Sequence, residues 1–247
     1  MTANPPRDTA ATWSRPRRYR ICPSLLSADF TRLREEIGAV EAAGADFLHL
    51  DVMDGQFVPS ITFGPMVVEA VRRLSRLPLD VHLMVADPIR FLEPFAEAGA
   101  DHMTVHVEAV ADPIAAARAI RARGLKAGLT VKPGTPIDLL AATVSEIDIA
   151  LVMTVEPGKG GQSFLEDSAT RIAAVRAAID AGGHDCLLQV DGGIGEETAV
   201  IAARAGADAF VAGHSIFRTG GLPAPPGPGA ATRRLRAAIE AVPLPTT

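Results

Sequence analysis

Short apolar runs alternate with longer, alanine-rich stretches along nearly the whole of this chain, and few folds accept that pattern. The runs cover residues 21–26, 47–52, 79–85, 102–107, 127–131, 147–155, 186–190 and 209–212. They are short and rich in Val, Leu and Ile, as strands covered on both faces must be. Residues 32–42, 65–74, 89–98, 113–123, 137–144, 167–181, 196–203 and 233–242 between and after them read as helices. Regular alternation of strand and helix predicts βαβ units and a parallel sheet. Eight units within about 220 residues predict a single α/β domain, a closed (β/α)₈ TIM barrel over residues 21–247.

Composition agrees and excludes some partners. Hydrophobic residues make up 48% and aromatics only 4%, so the core is built from aliphatic side chains. The net charge of −5 argues against nucleic acid as a partner. An anionic substrate would have to be held locally, by backbone amides. Cys22 and Cys186 form neither a disulfide framework nor a CxxC site. A cytoplasmic location is expected. No apolar run approaches the roughly 18 residues of a membrane helix, so no membrane role is expected. Residues 1–20 carry five arginines but no apolar signal core, and read as a disordered extension. Residues 219–230, rich in Pro and Gly, read as a flexible loop that could reach the site as a flap. Ala-Gly-Ala-Asp recurs at 43–46, 98–101 and 205–208, each time before a strand. Its glycine predicts a left-handed helix cap rather than a site.

Barrel enzymes place their chemistry at the C-terminal ends of the strands. His49 and Asp51 lie two apart on the second strand and so share a face, here the barrel interior. Buried there, a His and an Asp are costly unless paired or metal-bound. His82 on the third strand and Asp191 at the end of the seventh occupy comparable positions. Two imidazoles and two carboxylates converging from three strands make a candidate divalent-metal site. Any one of them alone would read as a hydrogen-bonded core residue.

Three glycine-rich loops follow. Gly158, Lys159, Gly160 and Gly161 come after strand six, Gly192 and Gly193 after strand seven, and Gly213-His214-Ser215 after strand eight. Glycines let the backbone approach an oxyanion, and a helix N-terminus adds a favourable dipole. Such loops are the usual phosphate site of a barrel.

Longer strings then carry a resemblance. His49-Leu50-Asp51-Val52-Met53-Asp54-Gly55, His82-Leu83-Met84-Val85, Lys132-Pro133-Gly134-Thr135 and Val152-Met153-Thr154-Val155-Glu156-Pro157-Gly158 resemble ribulose-phosphate 3-epimerases, as do Pro23-Ser24-Leu25-Leu26 and Val190-Asp191-Gly192-Gly193. The resemblance covers about residues 20–218 and implies a ribulose-phosphate-binding barrel. It implies that His49, Asp51, His82 and Asp191 hold one divalent metal (Zn, Mn, Fe or Co), with no organic cofactor. It implies that Asp51 and Asp191 are the acid and base. Ser24, His82, Gly158–Gly161, Gly192, Gly193, Gly213 and His214 would bind substrate, and Met53, Met84 and Met153 would line the site. It also implies closed homo-oligomers. Lys159, where an aromatic residue is common, and His214, where a serine is common, depart from the family pattern.

The implied reaction interconverts D-ribulose 5-phosphate and D-xylulose 5-phosphate at C3, a step of the pentose phosphate pathway. It is a 1,1-proton transfer through a cis-enediolate. The alternatives are the same chemistry on a six-carbon ketose phosphate such as allulose 6-phosphate, and a catalytically silent phosphate-binding barrel. A barrel resembling orotidine-phosphate decarboxylase fits poorly, because Met53 stands where its Asp-x-Lys-x-x-Asp signature needs lysine.

Overall fold

The computed structural model describes residues 19–219, 222–223 and 227–243. Eight parallel strands form one sheet: β1 (Arg20–Pro23), β2 (Leu48–Met53), β3 (Leu79–Met84), β4 (His102–His106), β5 (Lys126–Val131), β6 (Ile149–Met153), β7 (Leu187–Asp191) and β8 (Ala209–Ala212). Each strand from β2 to β8 pairs with the next, β8 pairs back onto β1, and a bridge between Ser24 and His49 links β1 to β2. The result is the expected (β/α)₈ barrel.

The helices are α1 (Leu33–Ala42), α2 (Pro65–Leu74), α3 (Leu92–Ala98), α4 (Pro113–Arg121), α5 (Asp138–Ala141), α6 (Ser168–Gly182), α7 (Glu196–Arg204), the one-turn α8 (His214–Phe217) and α9 (Pro228–Glu240). Several boundaries differ from the expected ones, two of them for clear local reasons. The first strand stops at Pro23, because Ser24 caps a 3₁₀ turn at Leu25–Ser27 by accepting the Leu26 N–H. The last helix starts at Pro228, since proline suits a first helical turn. Arg20 already lies in β1, so the barrel begins one residue earlier than read; the rest of the N-terminal extension, to residue 18, lies outside the described residues. Of the stretch 219–230, residues 220–221 and 224–226 lie outside them too. Among the described residues, no helix is long and apolar enough to cross a membrane.

The main core lies between sheet and helices, where Val, Leu and Ile from alternate strand positions meet the apolar helix faces. Each fully buried aliphatic side chain there contributes about 1.5–3 kcal/mol. Inside the barrel, a plug of Cys22, Phe47, Ile149, Leu187, Ala209 and Val211 closes the N-terminal end. Above the plug the interior turns polar.

The repeated Ala-Gly-Ala-Asp has a structural role. Asp46, Asp101 and Asp208 precede β2, β4 and β8, and their carboxylates accept the N–H groups of Ile21, Leu79 and Leu188 on the neighbouring odd strands. Asp148 does the same before β6, taking the Ala127 N–H at 2.9 Å. Each carboxylate also meets an arginine: Arg236 at 2.5 Å, Arg72 at 3.0 Å, Arg121 at 2.9 Å and Arg176 at 3.1 Å, for Asp46, Asp101, Asp148 and Asp208 respectively. The glycine ends the helix in the left-handed region, with φ of 104° at Gly99 and 107° at Gly206. It also leaves room for the arginine stem, since a Cβ on Gly99 would come within 2.8 Å of Arg72 Cγ.

Candidate active site

Strand register assembles the four candidate ligands. His49 and Asp51 alternate inward on β2, and His82 on β3 lies directly beside Asp51. Asp191 closes the group from the end of β7. One ligand atom from each of the four lies within 4.8 Å of every other. Asp51 Oδ1 is 3.3 Å from His49 Nε2 and 3.3 Å from His82 Nδ1, and His82 Nδ1 is 3.7 Å from Asp191 Oδ2. Both imidazoles are completely buried.

Further contacts fix these side chains. His49 Nδ1–H donates to Asp80 Oδ2 at 2.8 Å, and Nε2 points toward the cluster. Gln189 Nε2 donates to the same oxygen at 2.7 Å. The Ser24 hydroxyl donates to Asp51 Oδ2 at 2.5 Å. Thr62 clamps the strand end, donating to the Asp51 carbonyl at 2.7 Å and accepting the Met53 N–H at 3.0 Å. His82 Nε2 is 2.9 Å from His106 Nε2.

The two carboxylates differ in proton affinity. Burial alone would raise Asp51, but His49 and His82 outweigh it and hold it well below the usual carboxylate range. Burial raises Asp191, and the Asp51 charge beside it raises it further. Burial opposes the charged form of His49, yet Asp51 and Asp80 outweigh that and raise it well above an ordinary histidine. The two carboxylates are therefore shifted in opposite directions by their surroundings.

The donor set fits a divalent metal. Two imidazole nitrogens and two carboxylate oxygens on one small locus suit a borderline ion. His49 Nε2 is buried with no hydrogen-bond partner among the described residues, an orphan that a ligand bond would satisfy.

A cavity opens directly above. Asp51 and Asp191 form its floor, and Met53, Met84 and Met153 line it while staying almost wholly buried. The loops Gly158–Gly161, Gly192–Gly195 and Gly213–Ser215 form one side, with Ser24 beside them. Gly193 has φ 64°, and a Cβ there would come 2.5 Å from the Phe164 nitrogen, so only glycine fits. Gly213 opens α8, and its Cα faces Ser27, whose Oγ would lie 2.8 Å from an added Cβ. Lys159 and His214 both reach the cavity from exposed positions. The Gln162 amide donates to the carbonyls of Glu156 at 2.6 Å and Lys159 at 2.7 Å and ties this loop together.

Every residue read from the sequence as a site candidate thus lies in the buried cluster or around this cavity. Asp80, Gln189, Thr62, His106 and Glu108 were not singled out. His106 was within reach, because His102, Thr104 and His106 repeat on β4 the inward alternation that exposed His49 and Asp51.

The ribulose-phosphate 3 epimerase family model matches residues 20–217. This chain belongs to the ribulose-phosphate 3-epimerase family. It is 49% identical over 197 residues to the ribulose-phosphate 3-epimerase of Mycobacterium tuberculosis, spanning 80% of this chain and 85% of that one. The Bacillus subtilis ribulose-phosphate 3-epimerase is 46% identical over 199 residues, spanning 80% and 92%. Among solved structures, a 3-hexulose-6-phosphate synthase aligns with TM-score 0.64 at 20% identity, covering 90% of this chain and 99% of that one. Orotidine 5'-phosphate decarboxylase from Pyrococcus horikoshii aligns with TM-score 0.65 at 16% identity, covering 90% and 100%. At that identity these two share the barrel alone with the epimerase family.

Proposed function

We propose that this chain interconverts D-ribulose 5-phosphate and D-xylulose 5-phosphate, with Asp51 and Asp191 moving the proton at C3. The observation that carries the reading is the pair itself: two carboxylates from different strands, grouped with two buried histidines, on the floor of one cavity. A carboxylate placed within reach of a reacting carbon is a general acid or base in waiting.

One carboxylate takes the proton from C3 of the ketose, and the C–H electron pair moves into the C2–C3 bond as the C2 oxygen gains negative charge. The second carboxylate returns a proton to C3 from the opposite face. The two exchange roles with the direction of reaction. A divalent metal (Zn, Mn, Fe or Co) held by His49, Asp51, His82 and Asp191 would supply Lewis-acid stabilisation of that charge, worth several kcal/mol. Ser24 holds Asp51 Oδ2 by its hydroxyl and so limits rotation of the carboxylate. Met53, Met84 and Met153 offer thioether surface without acidic hydrogens, which keeps water from competing for the enediolate. The backbone amides of the loops at Gly158–Gly161, Gly192–Gly193 and Gly213–His214 would hold the phosphate at the other end of the cavity. A closed homo-oligomer in the cytoplasm completes the reading, on the strength of the family.

The test is turnover of ribulose 5-phosphate and of allulose 6-phosphate in deuterated water, with and without added metal. The expected result is deuterium at C3 and a clear preference for the five-carbon substrate. A preference for allulose 6-phosphate would replace the substrate, and the absence of exchange at C3 would remove the mechanism.

A further inference from the structure

His106, at the C-terminal end of β4, is completely buried and belongs to neither the four-residue cluster nor the cavity wall. Its Nε2 lies 2.9 Å from His82 Nε2, while the ring centres are 5.0 Å apart and the planes differ by 23°. Rings lying face to face at that spacing could not bring two nitrogens so close. The contact therefore runs near the ring planes, as an N–H to nitrogen hydrogen bond requires. Phe57 packs against His106, with centroids 4.7 Å apart, and helps keep water from it.

One proton fits in that contact. Two N–H groups would clash, and two bare nitrogens would leave buried acceptors facing each other. The nitrogen that His82 turns toward Asp51 and Asp191 is Nδ1. To act as a ligand, Nδ1 must be bare, so the ring's proton sits on Nε2 and is donated to His106. His106 then accepts at Nε2 and carries its own proton on Nδ1. That atom faces Glu108 Oε2 at 3.5 Å, longer than a good hydrogen bond but with correct polarity. Glu108 is anchored through its other oxygen, which accepts the Lys132 N–H at 2.7 Å and the Thr135 hydroxyl at 2.5 Å. Each proton position is set by the next group outward.

We propose that His106, backed by Glu108, is the positioning pair that fixes His82 as an Nδ1 ligand. The inference rests on the metal-ligand reading of His82 above. It gives the two ligand histidines different supports: His49 leans on the carboxylate of Asp80, and His82 on a neutral imidazole with a carboxylate behind it.

Metal affinity is the readout, measured by competition with a chromogenic chelator for Zn²⁺. His106→Leu is expected to lower affinity by about 10- to 100-fold, the usual effect of losing a partner behind a ligand. His106→Gln, whose amide oxygen can accept the His82 proton, should recover most of it, and Glu108→Gln should lose less than His106→Leu. In ¹⁵N-edited spectra of the Zn²⁺-loaded wild type, His82 should carry its proton on Nε2. A folded His106→Leu variant within twofold of wild-type affinity overturns the proposal. Where that variant does not fold, a His82 proton on Nδ1 in the loaded wild type overturns it, and one on Nε2 together with recovery in His106→Gln supports it. Wild-type protein that binds no divalent metal overturns the ligand reading itself, and this inference with it.

Discussion

Both ends of the barrel hold buried or half-buried aspartates, and what faces them separates structure from chemistry. At the N-terminal end, Asp46, Asp101, Asp148 and Asp208 each meet an arginine and the N–H of the adjacent strand. Guanidinium does not give up its proton at any ordinary pH, so these contacts hold the sheet and move nothing. At the C-terminal end, Asp51 and Asp191 face histidines and a cavity instead. Imidazole can lose or relocate a proton or give up its lone pair to a metal, so these carboxylates stay available. The same residue type is stabilising at one end and reactive at the other because of its partner.

The largest expected effect breaks the reactive end alone. Asp51→Asn and Asp191→Asn should each lower kcat/KM by about 10³-fold or more, consistent with loss of a general acid or base, while the melting temperature stays near wild type. Steady-state kinetics with thermal melts checks this, and a variant keeping a tenth of wild-type activity would deny that aspartate its role. Removing divalent metal with a chelator should abolish most activity, and adding back Zn²⁺, Mn²⁺ or Co²⁺ should restore it. Full activity in metal-free protein would return His49 and His82 to the role of hydrogen-bonded core residues.

The converse effect falls on the other end. Asp101→Ala removes one partner of a pair whose side chains are 1% and 10% exposed, and leaves Arg72 and the Leu79 N–H facing each other. A loss of about 3 kcal/mol is expected, or a drop of roughly 6–12 °C in Tm. The kcat measured below the melt should stay within twofold of wild type. A matching fall in kcat would mean that the two ends are not independent.

Much of this was legible because alternation and strand-end position are local signals. The period of strand and helix predicts the barrel, and two inward positions on β2 predict the pairing of His49 with Asp51. The ring of aspartates was only partly visible: Asp148 plays the same part as Asp101, but Glu146 and Ile147 stand before it in place of Gly-Ala, so no repeat marks it. The partners behind the ligands were hidden for another reason. Asp80 reaches His49, and His106 reaches His82, across neighbouring strands. Register decides which inward residues touch, and register is a property of the closed sheet rather than of any one segment. Likewise Asp51 is held low by His49 and His82, and Asp191 is raised by burial and by Asp51, surroundings that no spacing along the chain encodes.

The smallest effect tests how far the reactive end extends. Lys159 and His214 reach the cavity from exposed positions, on loops that would hold phosphate. Exposed charges act weakly through water, so Lys159→Ala should raise KM by only about 2- to 5-fold and leave kcat unchanged. The effect should shrink as salt is added, since screening weakens exposed pairs first. His214→Ser keeps the backbone amide that would face the anion, so its change should be smaller still. A kcat loss in either variant would move that residue from the rim into the chemistry. An unchanged KM in Lys159→Ala at low salt would leave the phosphate to the glycine loops alone, and the boundary between structural and reactive charge would then fall at Asp51 and Asp191 themselves.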